Sequence, residues 1–240
     1  MKIKQTITPK TKSTKQWTKK KPSFSAFEYA KVKTLVNSEI VPLKIYEVND
    51  LDTKFLDIMS QRINLKKLSY FKNATTKQLK EWKALINNAI MLSGFNEPQR
   101  TFLLTTEKNR PCGITTFNIF NKNCQIDYLA TWRPAENERT KLAGTTLLKA
   151  IFEDVSQNET NKISLTTLTD SPIDLIGYYK RMGFGIDPTT EIYKTGTDMY
   201  ILNSSIKETI KKLTPTINIE KVQNPKFVNL KQVLDIKYWI

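Results

Sequence analysis

The chain is expected to fold as α+β, on three observations. Three strand-like runs follow one another in mid-chain: Thr101 to Thr106, Gly113 to Phe120, and Cys124 to Trp132. Helical patterns flank them on both sides. Further strand-like runs return after the second helical stretch, so the order reads strand, two helices, three strands, helix, strand, helix, strands.

Met1 to Pro22 carries Lys2, Lys4, Lys10, Lys12, Lys15, Lys19, Lys20 and Lys21 and no acidic residue. Interspersed Thr, Ser and Pro leave no apolar face, so residues 1–22 are expected to be a basic tail, disordered on its own. Trp17 is the oddity there, since a large aromatic usually finds cover. Residues 23–40 are read as an N-terminal helical extension, with a short helix over Ser23 to Glu39 around Phe27, Tyr29, Val32 and Leu35.

Val41 to Val48 alternates as a first strand. Asn49 or Asp50 can cap the next helix, whose Leu51, Phe55, Ile58 and Met59 share a face. Thr75-Thr76-Lys77-Gln78 matches a capping box. It opens a helix with Leu79, Trp82, Leu85, Ile86 and Ile90 inward, stopped near Gly94. After the three mid-chain strands, the last two joined tightly through Asn121-Lys122-Asn123, a helix is expected over Thr140 to Ser156. Its buried stripe is Leu147, Leu148, Ile151 and Val155. Lys162 to Leu168 reads as a strand, and Glu191 to Lys194 and Asp198 to Leu202 as closing strands. Ser205 to Leu213 reads as a helix. The remaining apolar positions, Ile217 to Ile240, make residues 204–240 an extension packed on the core or on a second subunit, so a homodimer stays open.

Bulk properties narrow the chemistry. The 240 residues hold one good-sized core with appendages. No apolar run approaches the roughly 20 residues that span a bilayer, so no membrane partner is expected. The basic N-terminus has no apolar segment after it, unlike a secretory signal. Cys112 and Cys124 form no metal or redox motif and read as small core residues in a reducing compartment, which makes a cytoplasmic location the expectation. The chain has no histidine, which removes Ser-His and Cys-His nucleophilic schemes and the commonest zinc ligand set; no metal is expected. Acid–base work falls to carboxylates, tyrosine, lysine, backbone or water. The net charge is +15, yet only six of 38 basic residues are arginine. AT-rich coding also produces such a lysine bias. The charge is therefore only a weak pointer to an anionic partner, with nucleic acid on the basic tail as one reading.

The most telling stretch is Asn137 to Leu148, which follows the strand-like Gln125 to Trp132 and opens the amphipathic helix. About forty residues later comes Tyr178-Tyr179-Lys180-Arg181-Met182-Gly183-Phe184. A strand splaying into a helix start exposes unpaired N–H groups at the positive end of the helix dipole, a site for phosphate or pyrophosphate. Arg139-x-x-Leu142-x-Gly144 resembles the acyl-CoA motif of the GNAT N-acetyltransferase superfamily, R/Q-x-x-G-x-G/A. Tyr178 to Phe184 is similar to that family's Y-x-x-x-G-F segment. The resemblance covers Val41 to Asn203, so residues 41–203 are expected to be the GNAT-like domain.

The resemblance implies a GNAT-like mixed, mostly antiparallel sheet flanked by helices, with N- and C-terminal extensions. It implies acetyl-CoA as co-substrate, with Leu129, Ala130 and Thr131 beside the pantetheine. Arg139, Thr140, Lys141, Leu142, Ala143, Gly144 and Thr145 would lie at the pyrophosphate, held mostly through backbone. The tyrosine of the Y-x-x-x-G-F segment carries over to Tyr179 as the general acid toward the leaving thiolate. Asp127 and Asp170 are the candidates for the base. Leu142 stands where the family usually has its first glycine, so the backbone there is expected to stay out of the conformations only glycine tolerates. Five residues, Pro134 to Glu138, precede Arg139 where the family more often has a shorter connection. The function implied is an acyltransferase moving an acyl group from CoA to an amine. The acceptor is left open among a small amine, a protein amine and an aminoacyl-tRNA. The alternative is a catalytically weak or inactive GNAT-like acyl-CoA-binding or protein-interaction module.

Overall fold

The computed structural model describes residues 26–63, 65, 71, 73–94, 99–132, 140, 142–157, 160–168, 170–188 and 196–235. The basic tail, Trp17, the loop 134–138, Arg139, Lys141 and the expected strand 191–194 lie outside the described residues.

The first two strands, β1 (Ala26–Val36) and β2 (Glu39–Val48), form a hairpin. Asn37 and Ser38 turn it with φ of 50° and 66°, the left-handed pair that matches the twist of a two-residue loop. A single 3-10 turn, Asp50–Asp52, leads into α1 (Thr53–Gln61), and α2 (Thr76–Leu92) follows. Then come β3 (Gln99–Thr106), β4 (Pro111–Phe120) and β5 (Asn123–Thr131). The next elements are α3 (Ala143–Ser156), β6 (Lys162–Leu168) and α4 (Leu175–Arg181). The chain continues through β7 (Gly185–Ile186), β8 (Gly196–Leu202) and α5 (Asn203–Leu213) to β9 (Ile217–Lys221), β10 (Phe227–Val228) and α6 (Leu230–Val233).

These strands make one sheet, ordered β10-β1-β2-β3-β4-β5-β6-β8-β7, with β9 also paired to β1. Every pairing is antiparallel except β5 with β6. The architecture is thus the expected α+β one: a mixed, mostly antiparallel sheet flanked by helices. Alternation along the strands sends side chains into two cores, one on each face. One holds Leu147, Ile151 and Phe152 of α3 with Tyr179, Met182 and Ile206. The other holds Leu56 and Met59 of α1, Trp82, Ile86 and Ile90 of α2, and Leu230. No helix among the described residues is long and apolar enough to cross a membrane.

Two expectations need correction. The helix placed over Ser23 to Glu39 is instead strand β1. From Ala30 to Leu35 the chain alternates buried and exposed residue by residue, with Lys31 and Lys33 in solvent. A register shift between Glu28 and Ala30 breaks that alternation and lets Phe27, Tyr29, Val32 and Leu35 imitate a helical stripe. In α1 the buried residues are Leu56, Met59 and Ser60, while Leu51 and Ile58 are about half exposed. The helix starts later than its apolar pattern suggested, because the 3-10 turn takes up Leu51.

The last part of the chain returns to the first strand. Strand β9 pairs along Ala30 to Thr34, and β10 pairs with Ala26 and Phe27. A buried polar network ties the layers together. The Arg100 guanidinium on β3 grips Glu47 of β2 with two bonds of 2.8 Å and also meets Asp154 of α3. Tyr29 donates to Asp154 at 2.7 Å, and Lys221 of β9 reaches the same carboxylate at 3.4 Å. Burial and Asp154 together push the Tyr29 hydroxyl far above its ordinary range. Removing the Arg100 guanidinium would leave Glu47 and the buried Asp154 without that shared cation, at a cost of about 3 kcal/mol.

Candidate active site

The one parallel joint is short. Strands β5 and β6 pair from Asn123 with Lys162 to Ile126 with Leu165, and there the pairing ends. Beyond that point β5 stays with β4, Leu129 opposite Thr115 and Thr131 opposite Gly113, while β6 stays with β8. The two strands therefore part. The local cause lies in β5: Thr116 pairs Tyr128 and Phe117 pairs Ile126, which leaves Asp127 as an extra residue. Such a bulge bends its strand and raises the twist. The edge of β5 from Tyr128 to Thr131 then carries backbone groups that β6 does not pair. Trp82 of α2 braces this edge, its indole N–H donating to the Thr131 carbonyl at 3.1 Å.

The start of α3 stands at the mouth of the gap. Leu142, just before the helix, has φ 65° and ψ 13° and makes no side-chain cap. The first helical bond runs from the Thr146 N–H to the Leu142 carbonyl at 2.7 Å. The amides of Ala143, Gly144 and Thr145 precede that bond and so have no acceptor within the helix, at the positive end of its dipole. Thr140, Leu142, Ala143, Gly144 and Thr145 all line a cleft of about 990 Å³ that runs into the gap. The expectation that Leu142 avoids glycine-only backbone is overturned: Leu142 itself occupies the left-handed region. Its side chain packs against the apolar core on the α3 face, and that contact helps offset a cost of about 1–2 kcal/mol.

Helix α4 presents both tyrosines to the cleft. Asp174 caps this helix by accepting from the Gly177 N–H at 2.8 Å, which fixes the azimuth of the residues that follow. The Tyr178 hydroxyl lies 3.4 Å from Thr145 Oγ1. A Cβ added at Gly144 would stand 3.1 Å from that hydroxyl, so a side chain here crowds this approach. Tyr179 is buried, with its ring edge-on to Phe184 and Tyr178. Burial pushes the Tyr178 phenol up to about 12, against a smaller downward pull from the Thr145 hydrogen bond. Burial, with Tyr178 as neighbour, drives Tyr179 higher still. Both phenols are therefore neutral donors, and poorer acids than free tyrosine.

The two carboxylate candidates separate. Asp127 lines the cleft, and its Oδ2 accepts from Gln99 Nε2 at 3.0 Å and Asn118 Nδ2 at 3.1 Å. Asp170 is exposed and turned to the start of α2, where it accepts from Lys77 Nζ and Gln78 Nε2, both at 3.1 Å. Those hydrogen bonds, with the charge of Lys77, hold its carboxyl below the usual range, which weakens it as a base. It is not among the residues around the cleft, so Asp170 is corrected to a surface partner of α2.

Of the remaining expected residues, Leu129 and Thr131 line the cleft, whereas Ala130 is fully buried in the core of the α2 face. Sequence reading missed Trp82, Leu85, Tyr128, Trp132 and Ile173 as lining residues. Trp82 and Leu85 carried a signal as the inward stripe of α2, but nothing in a stripe says what it faces. Cys112 and Cys124 are buried in the core, and burial pushes the Cys124 thiol up to about 12. Among the described residues no group of three or more metal-ligating side chains is assembled.

No family model matches the chain, and no curated protein matches it. The fold is similar to that of several solved N-acetyltransferases. One is the PaiA N-acetyltransferase from Thermoplasma acidophilum in complex with coenzyme A, at 17% identity and TM-score 0.47, covering 67% of this chain and 98% of that one. Another is the ribosomal-protein-S18-alanine N-acetyltransferase from Escherichia coli, at 14% identity and TM-score 0.45, covering 67% and 93%. A third is a putative acetyltransferase of the GNAT family from Desulfovibrio desulfuricans, at 12% identity and TM-score 0.47, covering 67% and 99%.

Proposed function

We propose that this chain is a GNAT-type N-acetyltransferase that moves an acyl group from acetyl-CoA to an amine by direct attack. The observation that carries the reading is the gap between β5 and β6 opening beside the uncapped start of α3. A slot between strands accepts a narrow, amide-bearing arm by extending the sheet's own hydrogen bonding. A bare helix start accepts a diphosphate. The two features adjoin in one cleft.

The co-substrate supplies an acetyl group activated as a thioester. The chain supplies the rest. The amine nitrogen forms a bond to the carbonyl carbon, the C–S bond breaks, and one proton must leave the nitrogen while one reaches the sulfur. Presenting a lysine-like amine neutral at pH 7 costs about 4.6 kcal/mol from its pKa near 10.4. Asp127, at the bulge, takes that proton directly or through water. The edge of β5 beyond its pairing with β6 offers N–H donors to the developing oxyanion, the kind of fixed dipole worth about 2.7–4 kcal/mol per donor. Tyr179 remains the residue assigned to the sulfur, as a hydrogen-bond donor. Burial raises both phenols, that of Tyr178 to about 12 and that of Tyr179 further, so passing a full proton to a thiolate near 8.5 is uphill by roughly 5 kcal/mol or more. The proton on the product thiol therefore comes from solvent.

Acetyl-CoA at one hundred times its dissociation constant is expected to stabilise the chain by about 2.7 kcal/mol in a thermal shift. Thiol release with an amine panel then reads the transfer itself. Absence of any shift at millimolar acetyl-CoA overturns the proposal. Tyr179→Phe is expected to lower kcat about tenfold with acetyl-CoA affinity unchanged; an unaltered kcat removes Tyr179 from the chemistry.

A further inference from the structure

The cleft reaches both faces of the sheet. On the α3 face it is bounded by the start of α3 and the two tyrosines. On the α2 face it is bounded by Trp82, Leu85, Asp127, Tyr128, Trp132 and Ile173. Asp127 belongs to this second side: its partners Gln99 and Asn118 lie in alternation with Leu103 and Ile114, which point into the α2 core.

We infer that the α2 half of the cleft is an acceptor chamber for a small primary amine with a single positive charge, carried on an aromatic or branched apolar body. The inference rests on the acetyl-transfer reading, which gives the α3 face to the CoA and leaves this face to the amine. Asp127 is the one charged side chain among the described residues of the cleft. Its Oδ2 is held by two neutral amides, and no described basic side chain pairs with it. One carboxylate in an apolar chamber matches one ammonium group. Among the described lining residues, a linear polyamine would find no second carboxylate for its further charges, and a charge without a partner there is costly. Tyr128, Leu85 and Ile173 are partly exposed in this lining and offer a phenol ring and apolar side chains to an aromatic or branched body, with the buried indoles of Trp82 and Trp132 behind them.

The test is a kcat/KM comparison on the full chain with acetyl-CoA, using 2-phenylethylamine, spermidine and a peptide with a free N-terminus. The arylalkylamine is expected to exceed both others at least tenfold. Asp127→Asn, an isosteric change, is expected to raise its KM about tenfold or more, beside the fall in kcat that loss of the base brings, while the thermal shift with acetyl-CoA stays intact. Leu85→Glu adds a second carboxylate to the chamber and is expected to move preference toward the polyamine. An acetyl-CoA shift with spermidine or peptide as the preferred acceptor overturns the inference and leaves acetyl transfer standing. Unchanged preference in Leu85→Glu, with that variant still binding acetyl-CoA, also overturns it. No acetyl-CoA binding by the unmodified chain overturns both.

Discussion

The starts of α2 and α3 face opposite demands. At α2 a capping box closes the helix start. The Gln78 N–H donates to Thr75 Oγ1 at 3.2 Å and the Thr75 N–H donates to Gln78 Oε1 at 2.9 Å. An acid from elsewhere in the chain, Asp170, sits over the same turn through Lys77 and Gln78. At α3 the residue before the helix, Leu142, makes no side-chain cap, and no capping box is formed among the described residues. The first helix start satisfies its donors from within the chain, whereas the first turn of α3 leaves its amides without an acceptor in the helix. On the acetyl-transfer reading proposed above, the start of α3 serves a ligand rather than the fold, beside the place where two strands part.

Three changes probe this contrast. The largest effect is expected at Gly144, where a Cβ already comes within 3.1 Å of the Tyr178 hydroxyl. Gly144→Val narrows the cleft at these first-turn amides. It should weaken acetyl-CoA binding about a hundredfold, or roughly 2.8 kcal/mol, by calorimetry. Binding within threefold of the parent would mean that the start of α3 is not where the diphosphate lies.

Thr75→Ala breaks the closed start instead. It is expected to lower stability by about 1 kcal/mol in urea denaturation, with acetyl-CoA affinity unmoved. A matching drop in affinity would show that the two helix starts are not independent. The smallest effect is expected at Leu142, as a comparison of two truncations. Both Leu142→Gly and Leu142→Ala lose the side chain, but only glycine is free of the left-handed penalty at φ 65°. The glycine variant should therefore be the more stable by about 1 kcal/mol, the reverse of the order in a helix interior. Equal stabilities would argue against that backbone geometry.

Much of this molecule was legible in its sequence wherever the signal was local. The capping box at Thr75, the Asn121–Lys122 turn with φ of 49° and 59°, and the bounds of β6 all follow from residues within one turn or one strand. Reading failed where partners lie far along the chain. Strand β1 was mistaken for a helix because the alternation that marks it begins only after a bulge, and its pairing with β9 has no local trace. The carboxylates taught the same lesson. Asp127 and Asp170 looked equivalent in the sequence, yet one reaches the cleft and the other is claimed by a lysine 93 positions away. Leu142 failed for a different reason: propensity described what leucine prefers, and packing on the core decided what it does.

The return of β9 to β1 also sets the timetable of synthesis. Residues 30–34 leave the ribosome early, yet their partners at 217–221 emerge only after nearly two hundred more amino acids. Until then one long edge of the nascent sheet stays open to a neighbouring chain. Lys31 and Lys33, the two cations exposed on that edge, are well placed to discourage the wrong partner while the right one is still being made.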